Sequence, residues 1–221
     1  MKLLLTSAGV KNASIKAALI DLLGKPIDEC DALCIPTAGY ANPNGAAGAW
    51  RFITGHATTP MCELGWKSLG VLELTALPSL ERDRWVSWVQ ASDVVLVNGG
   101  DALYLAHWMR ESGLAEVLAT LPALVWVGLS AGSMVMAPLI GEDFVDWRPP
   151  SGGDRALGVV DFAIFPHLDH PDLPENRLAD AERWADNLSV PAYAIDDQTA
   201  IKVVDGNVEV ITEGHWKFFP A

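Results

Sequence analysis

The pentapeptide Gly128-Leu129-Ser130-Ala131-Gly132 directly follows an apolar run at 124–128 (LVWVG) and directly precedes a short helical pattern. This is the G-x-S-x-G pattern in a strand–turn–helix setting, where a tight turn holds a serine hydroxyl at the carboxyl end of a sheet. The glycines are required because side chains at those positions would clash with adjacent elements. A serine hydroxyl is a weak nucleophile and needs a base. The N–H of Ala131 opens the helix and can face a developing oxyanion. The pattern therefore nominates Ser130 as a nucleophile for acyl transfer. A second donor is expected from Asn98-Gly99-Gly100-Asp101, which follows another buried-type run at 93–97 (DVVLV) and opens another helix. Its small residues let the backbone approach a ligand closely. A simple strand–helix turn is the structural alternative.

The base should be a histidine, and there are five. His107 lies in a helical stretch beside Trp108, His56 in a Gly- and Thr-rich stretch, and His215 in the last strand pattern. His167 and His170 lie in FPHLDHP at 165–171, just past a strand end, where a triad histidine belongs. With Asp169 they could instead ligate a metal, but no third ligand set is apparent, and none is expected. Glu142, Asp143 and Asp146 lie between Ser130 and His167, and any of them could orient the imidazole.

These residues need elements to hold them. Strand-like runs at 2–7, 32–36, 71–74, 93–97 and 124–128 alternate with helical stretches at 14–23, 45–67 (broken near Gly55 and Pro60), 79–88, 102–111, 114–120 and 131–137. Apolar runs of this kind, alternating with helices, indicate a parallel sheet covered on both faces. After Gly141 come a polar loop at 142–154, a strand at 159–165, a helix at 175–188 and short strands at 192–195, 200–204, 208–211 and 215–219, with a hairpin turn at Asp205-Gly206. No repeat, low-complexity tract or linker interrupts 1–221, so one α/β domain is expected.

Composition bounds the function. Half of the 221 residues are apolar, enough for a substantial core. The net charge of −13 argues against a duplex-DNA or anionic-membrane binder. The acid is uneven: residues 1–140 carry a net −3 and residues 141–221 a net −10. Three cysteines, Cys30, Cys34 and Cys62, do not make a disulfide framework and read as reduced thiols of a cytosolic protein. The opening MKLLLTSAGVKNAS has too short an apolar run for a signal peptide or span, so a cytoplasmic protein is expected. Nine scattered tryptophans fit core packing, with a homodimer contact as a further use.

The chain resembles peptidase E, the aspartyl dipeptidase family of serine peptidases, which is similar in fold to class I glutamine amidotransferases. The resemblance spans nearly the whole chain: LLLTSAG at 3–9, IPTAG at 35–39, VNGGD at 97–101, GLSAGS at 128–133 and FPH at 165–167. It implies a three-layer α/β sandwich with a mostly parallel, flavodoxin-like central sheet. It implies Ser130 as nucleophile, His167 as base, and Gly100 and Ala131 as oxyanion-hole donors. The family acid follows the elbow helix, which points to Asp146 or Asp143 by a one- or two-residue offset. Asp101 stands where the family usually has Asn, among the substrate contacts. Arg177 is the nearest match to an arginine that would read an amino-terminal Asp. The implied activity is hydrolysis of short Asp-X peptides through an acyl-enzyme, with a small peptide as partner and no metal or organic cofactor. Cyanophycinase-like cleavage, an esterase-type hydrolase and a non-catalytic member of the fold are the alternatives. With a net −10 in the last third, an anionic substrate needs a local cation, and Arg148, Arg155, Arg177 and Arg183 are those near the proposed base.

Overall fold

A computed structural model describes all 221 residues. Its strands are β1 (Lys2–Thr6), β2 (Asp31–Ile35), β3 (Ser68–Val71), β4 (Val94–Val97), β5 (Val125–Leu129), β6 (Ala163–Phe165), β7 (Ala192–Ile195), β8 (Thr199–Val204), β9 (Asn207–Thr212) and β10 (Trp216–Phe219). Its helices are α1 (Ala13–Leu23), α2 (Gly45–Ile53), α3 (Arg82–Gln90), α4 (Ala102–Glu111), α5 (Leu114–Ala119), α6 (Ala131–Met134) and α7 (Leu178–Asp186). Seven strands form one sheet in the order β3-β2-β4-β5-β1-β8-β9, and β10-β7-β6 form a second, smaller one. From β3 to β1 every pairing is parallel, whereas β8 joins β1 antiparallel and β9 joins β8 antiparallel. The sandwich with a mostly parallel central sheet expected from the sequence is thus the observed architecture.

Period-two alternation along each strand divides the core between the two faces of the sheet. Leu3, Leu5, Ile35, Val97 and Trp126 pack on one face with buried residues of α3, α4, α5 and α6. Leu4, Cys34, Leu96 and Val127 pack on the other with Ile15 and Leu19 of α1 and Phe52 of α2. A third cluster, built on Phe165 and Trp184, lies between α7 and the small sheet. Parallel pairing brings the carboxyl ends of β2, β4, β5 and β1 to one edge of the sheet. The reversal of β8 brings its amino end to that same edge, so residues far apart in sequence converge there.

Several boundaries differ from the sequence reading, each for a local reason. Helix α1 is capped by Asn12 rather than Ser14, because the Asn12 side chain accepts from the Ile15 N–H at 2.9 Å. The helix expected over 45–67 stops at Ile53, where the Arg51 carbonyl accepts from the N–H groups of both His56 and Ala57 and closes the turn. The strand expected at 71–74 lies three residues earlier, since Glu73 accepts from the Thr75 N–H and Thr37 Oγ1 and turns the chain into a 3-10 segment. Helix α7 begins at Leu178 rather than 175, because Asn176 is buried with its amide donating to the Pro166 carbonyl.

The elbow itself is a packing constraint. A Cβ on Gly128 would sit 2.3 Å from the Gly132 carbonyl oxygen, and one on Gly132 would sit 2.5 Å from that of Val97. Gly48 in α2 has open space around it. Gly128→Ala should therefore destabilise by about 1–3 kcal/mol, the range for overpacking, while Gly48→Ala should raise stability by about 1 kcal/mol through helix propensity. Urea unfolding of the two variants checks this, and equal stability of Gly128→Ala and the parent would contradict the close β5–α6 approach.

Candidate active site

Ser130 sits between β5 and α6 at φ 49° and ψ −112°, a strained conformation for a residue with a side chain. The strain is held by neighbours on three sides. The Ser130 N–H donates to the Thr6 carbonyl at 3.0 Å, and the Ser130 carbonyl accepts from the Ser133 and Met134 N–H groups. Ser133 Oγ donates to the Thr6 carbonyl at 2.8 Å, Thr6 Oγ1 donates to the Gly128 carbonyl at 2.7 Å, and Trp126 Nε1 donates to the Gly132 carbonyl at 2.9 Å. The serine is half-buried, while Ala131 and Gly132 behind it are buried.

The glycine loop after β4 comes against this elbow. A Cβ on Gly99 would lie 3.4 Å from the Ser130 Cβ. Gly100 adopts φ +140°, and a Cβ there would lie 2.2 Å from the Ala38 carbonyl oxygen, so only glycine fits. The N–H groups of Gly100 and Ala131 donate to no acceptor of the chain. Two unpaired donors near a strained serine are the arrangement an oxyanion needs.

His167 follows β6 at φ 58°. Its backbone N–H donates to Ser7 Oγ at 2.7 Å, and its Nδ1 lies 2.7 Å from Asp197 Oδ1. Ser7 Oγ donates to the same Asp197 oxygen at 2.9 Å. A proton on Nδ1 shared with Asp197 leaves Nε2 as the acceptor, the tautomer a general base needs. His170 Nε2 lies 3.6 Å from Asp197 Oδ2. Burial alone would push the Asp197 carboxyl up, but the hydrogen bond and charge of His167, the Ser7 hydroxyl and the charge of His170 together hold it below the usual carboxylate range.

Ser7 is the residue that joins the two halves. Register pairs Thr6 with Leu129 on one side and with Ala200 on the other. Ser7 therefore lies at the sheet edge between Ser130, which follows Leu129, and Asp197, which precedes β8.

The acid on His167 is Asp197, and neither Asp143 nor Asp146 takes that place. In the segment 142–147 the apolar residues Phe144, Val145 and Trp147 turn inward, and Phe144 packs edge-on against Phe165 and Trp184. Glu142, Asp143 and Asp146 are left exposed, and Glu142 pairs with Arg148 at 3.8 Å. Asp101 also differs from the expectation of a substrate contact. Both its oxygens are engaged within the chain, one by the Tyr104 N–H and the other by the Trp147 N–H, each at 2.8 Å. It caps α4 and anchors the 142–147 segment, and burial raises its pKa despite these bonds. Arg177 is exposed at the start of α7, where Asp180 accepts its backbone N–H. Of the HLDH quartet, His167 and His170 face Asp197, while Asp169 pairs with His215 at 3.1 Å.

The sequence model of peptidase family S51 matches residues 3–211. The chain belongs to peptidase family S51. Among solved structures, it is similar to a candidate peptidase E protein from Listeria monocytogenes EGD-e, with TM-score 0.65 and 17% identity, covering 96% of this chain and 98% of that one. It is similar also to a peptidase from an acI-B1 Actinobacterium, with TM-score 0.65 and 18% identity, covering 100% of this chain and 94% of that one. No curated protein matches the sequence. Membership makes the chain a peptidase by family, and the two structures share its fold.

The depressed Asp197 pKa has a consequence for stability. A carboxyl whose folded value lies below its unfolded value stabilises the fold above the unfolded value, about 3.9 for Asp, and loses that contribution as pH falls through the folded value. Wild type should therefore exceed Asp197→Asn in unfolding free energy at pH 7, and the gap should shrink below about pH 4. Urea unfolding at several pH values tests this; a gap that widens in acid would contradict an ionised Asp197 carboxylate hydrogen-bonded to His167.

Proposed function

We propose that this member of peptidase family S51 is a serine-type dipeptidase that hydrolyses short peptides bearing a free amino-terminal Asp. The observation that carries the reading is the convergence, at one sheet edge, of the strained Ser130 elbow, the two unpaired N–H groups and the His167–Asp197 pair. Ser130 Oγ attacks the carbonyl carbon after the amino-terminal residue. His167 Nε2 takes the hydroxyl proton and later gives it to the leaving amine. Asp197 fixes the imidazole tautomer and stabilises the imidazolium. The N–H groups of Gly100 and Ala131 receive the oxyanion of the tetrahedral intermediate. Collapse leaves an acyl group on Ser130, and water activated by the same histidine releases the acid and restores the hydroxyl.

These steps draw on no metal or organic cofactor. The three cysteines are free and buried, away from the role of nucleophile. No helix is long and apolar enough to cross a membrane, and a cytoplasmic location belongs to the proposal, as does a small peptide as the partner.

A panel of free and amino-blocked Asp-X and X-Asp peptides tests the reading. Wild type should cleave Asp-X with a free amine, and Ser130→Ala should lose about 10⁴-fold or more in kcat. Asp197→Asn should lose about 10²–10⁴-fold at neutral pH, whereas Asp143→Asn and Asp146→Asn should stay within about 3-fold of wild type, as exposed carboxylates remote from the imidazole do. Undiminished turnover by Ser130→Ala would sink the mechanism.

A further inference from the structure

The smaller sheet brings three segments to the site. In the order β10-β7-β6, β6 runs parallel to β7 with Phe165 opposite Ala194, and β10 runs antiparallel to β7 with Trp216 opposite Ile195. The base loop after β6, the turn Asp196-Asp197 after β7 and His215 just before β10 therefore meet at one edge of this sheet. Backbone bonds continue the pairing there: the Asp196 N–H donates to the His215 carbonyl at 3.2 Å, and the Leu168 N–H donates to the Ile195 carbonyl at 3.1 Å. A Cβ on Gly214 would collide with the Asp196 carboxylate, so this approach needs a glycine.

The His215 ring lies between two carboxylates from different loops. Its Nδ1 is 3.0 Å from Asp196 Oδ2, and its Nε2 is 3.1 Å from Asp169 Oδ2. Asp196 immediately precedes the acid Asp197, and Asp169 stands two residues after the base His167. A neutral imidazole has one N–H and would turn a lone pair toward one of the two carboxylates; only the cationic ring donates to both. The other oxygens are held within their own segments. Asp196 Oδ1 accepts from Thr199 Oγ1 at 2.6 Å and from the Gln198 N–H at 3.1 Å, and Asp169 Oδ1 accepts from the Leu178 N–H at 3.2 Å. The His215 side chain is 57% exposed, and ion pairs at that exposure add little stability. Position is where the contact matters. His167 and Asp169 have φ 58° and 54°, conformations that persist only where neighbours hold them. The 2.7 Å His167–Asp197 bond needs both loops in register. His170 also faces Asp197, but it belongs to the base loop and moves with it, whereas His215 stands on a third segment.

We infer that His215 is a positioning residue for the Ser130 reaction: its imidazolium clasps Asp169 to Asp196 and so fixes the base loop against the turn that carries the acid. The inference rests on the serine-hydrolase reading for its effect on turnover, and its test includes a readout that needs no turnover. NMR of the histidine ring nitrogens reads the His167 tautomer directly. In the parent protein neutral His167 should carry its proton on Nδ1. In His215→Ala it should become a mixture of the Nδ1–H and Nε2–H forms, while the His56 and His107 resonances stay in place and report a retained fold. His215→Gln keeps an amide donor within reach of Asp169 alone; it should show the same mixture, and it supplies the readout where the alanine protein fails to fold. On a cleaved peptide either variant should lose about 10- to 100-fold in kcat with KM within about 2-fold, as misplaced catalytic groups do. A His167 that keeps its single Nδ1–H form in the folded variants overturns the inference. Absence of peptide turnover by the parent protein, alongside a His167 tautomer that responds to His215, sinks the hydrolase reading and leaves the clasp standing.

Discussion

Thr6 and Ser7, consecutive residues at the end of β1, hold the elbow serine to the histidine and its acid. Thr6 accepts the Ser130 N–H through its carbonyl and donates its hydroxyl to the Gly128 carbonyl. Ser7 accepts the His167 N–H and donates to Asp197. The strained conformations of Ser130 and His167 both depend on these bonds. Strain at such positions persists only where the surroundings over-determine it. Here the surroundings are a central strand with parallel and antiparallel neighbours, buried on both faces.

That constraint explains why the sheet is mixed. A parallel sheet alone would present only carboxyl ends at the working edge. Adding β8 antiparallel beside β1 brings an amino end, with Asp196 and Asp197, to the same edge. Asp196 is a structural partner: it accepts from Thr199 Oγ1 and from the Gln198 and His215 N–H groups. Asp197 is turned the other way, toward His167. The two adjacent carboxylates thus divide between holding the turn and orienting the imidazole.

The sheet was legible from the apolar runs, because strands buried on both faces leave uninterrupted Val and Leu, as in VVLV of β4. The elbow was legible because G-x-S-x-G reports a local steric need. The acid was not, because chain order carries no distance information. The stretch between Ser130 and His167 offers Asp143 and Asp146, while the carboxylate that reaches the ring is 30 residues beyond it. A weak signal existed in Asp196-Asp197 at the end of the 192–195 run, but only the antiparallel register of β8 places it. Ser7 was hidden for the same reason, reading simply as the last residue of a strand. Asp101 matches the position of a family Asn among the substrate contacts, but its burial and two backbone donors make it a cap. The concentration of acid in residues 141–221 is a solvated surface over most of its length, with Asp143, Asp146 and Glu142 among the exposed residues.

The central claim is that Ser130 is an activated nucleophile whose base is His167. Mass spectrometry of folded protein treated with an active-site phosphonate tests it most directly. The account requires one phosphonyl group per chain, carried on the peptide containing Ser130, and its disappearance in His167→Ala. No adduct on the folded wild type, an adduct on another serine, or undiminished labelling in His167→Ala would contradict it.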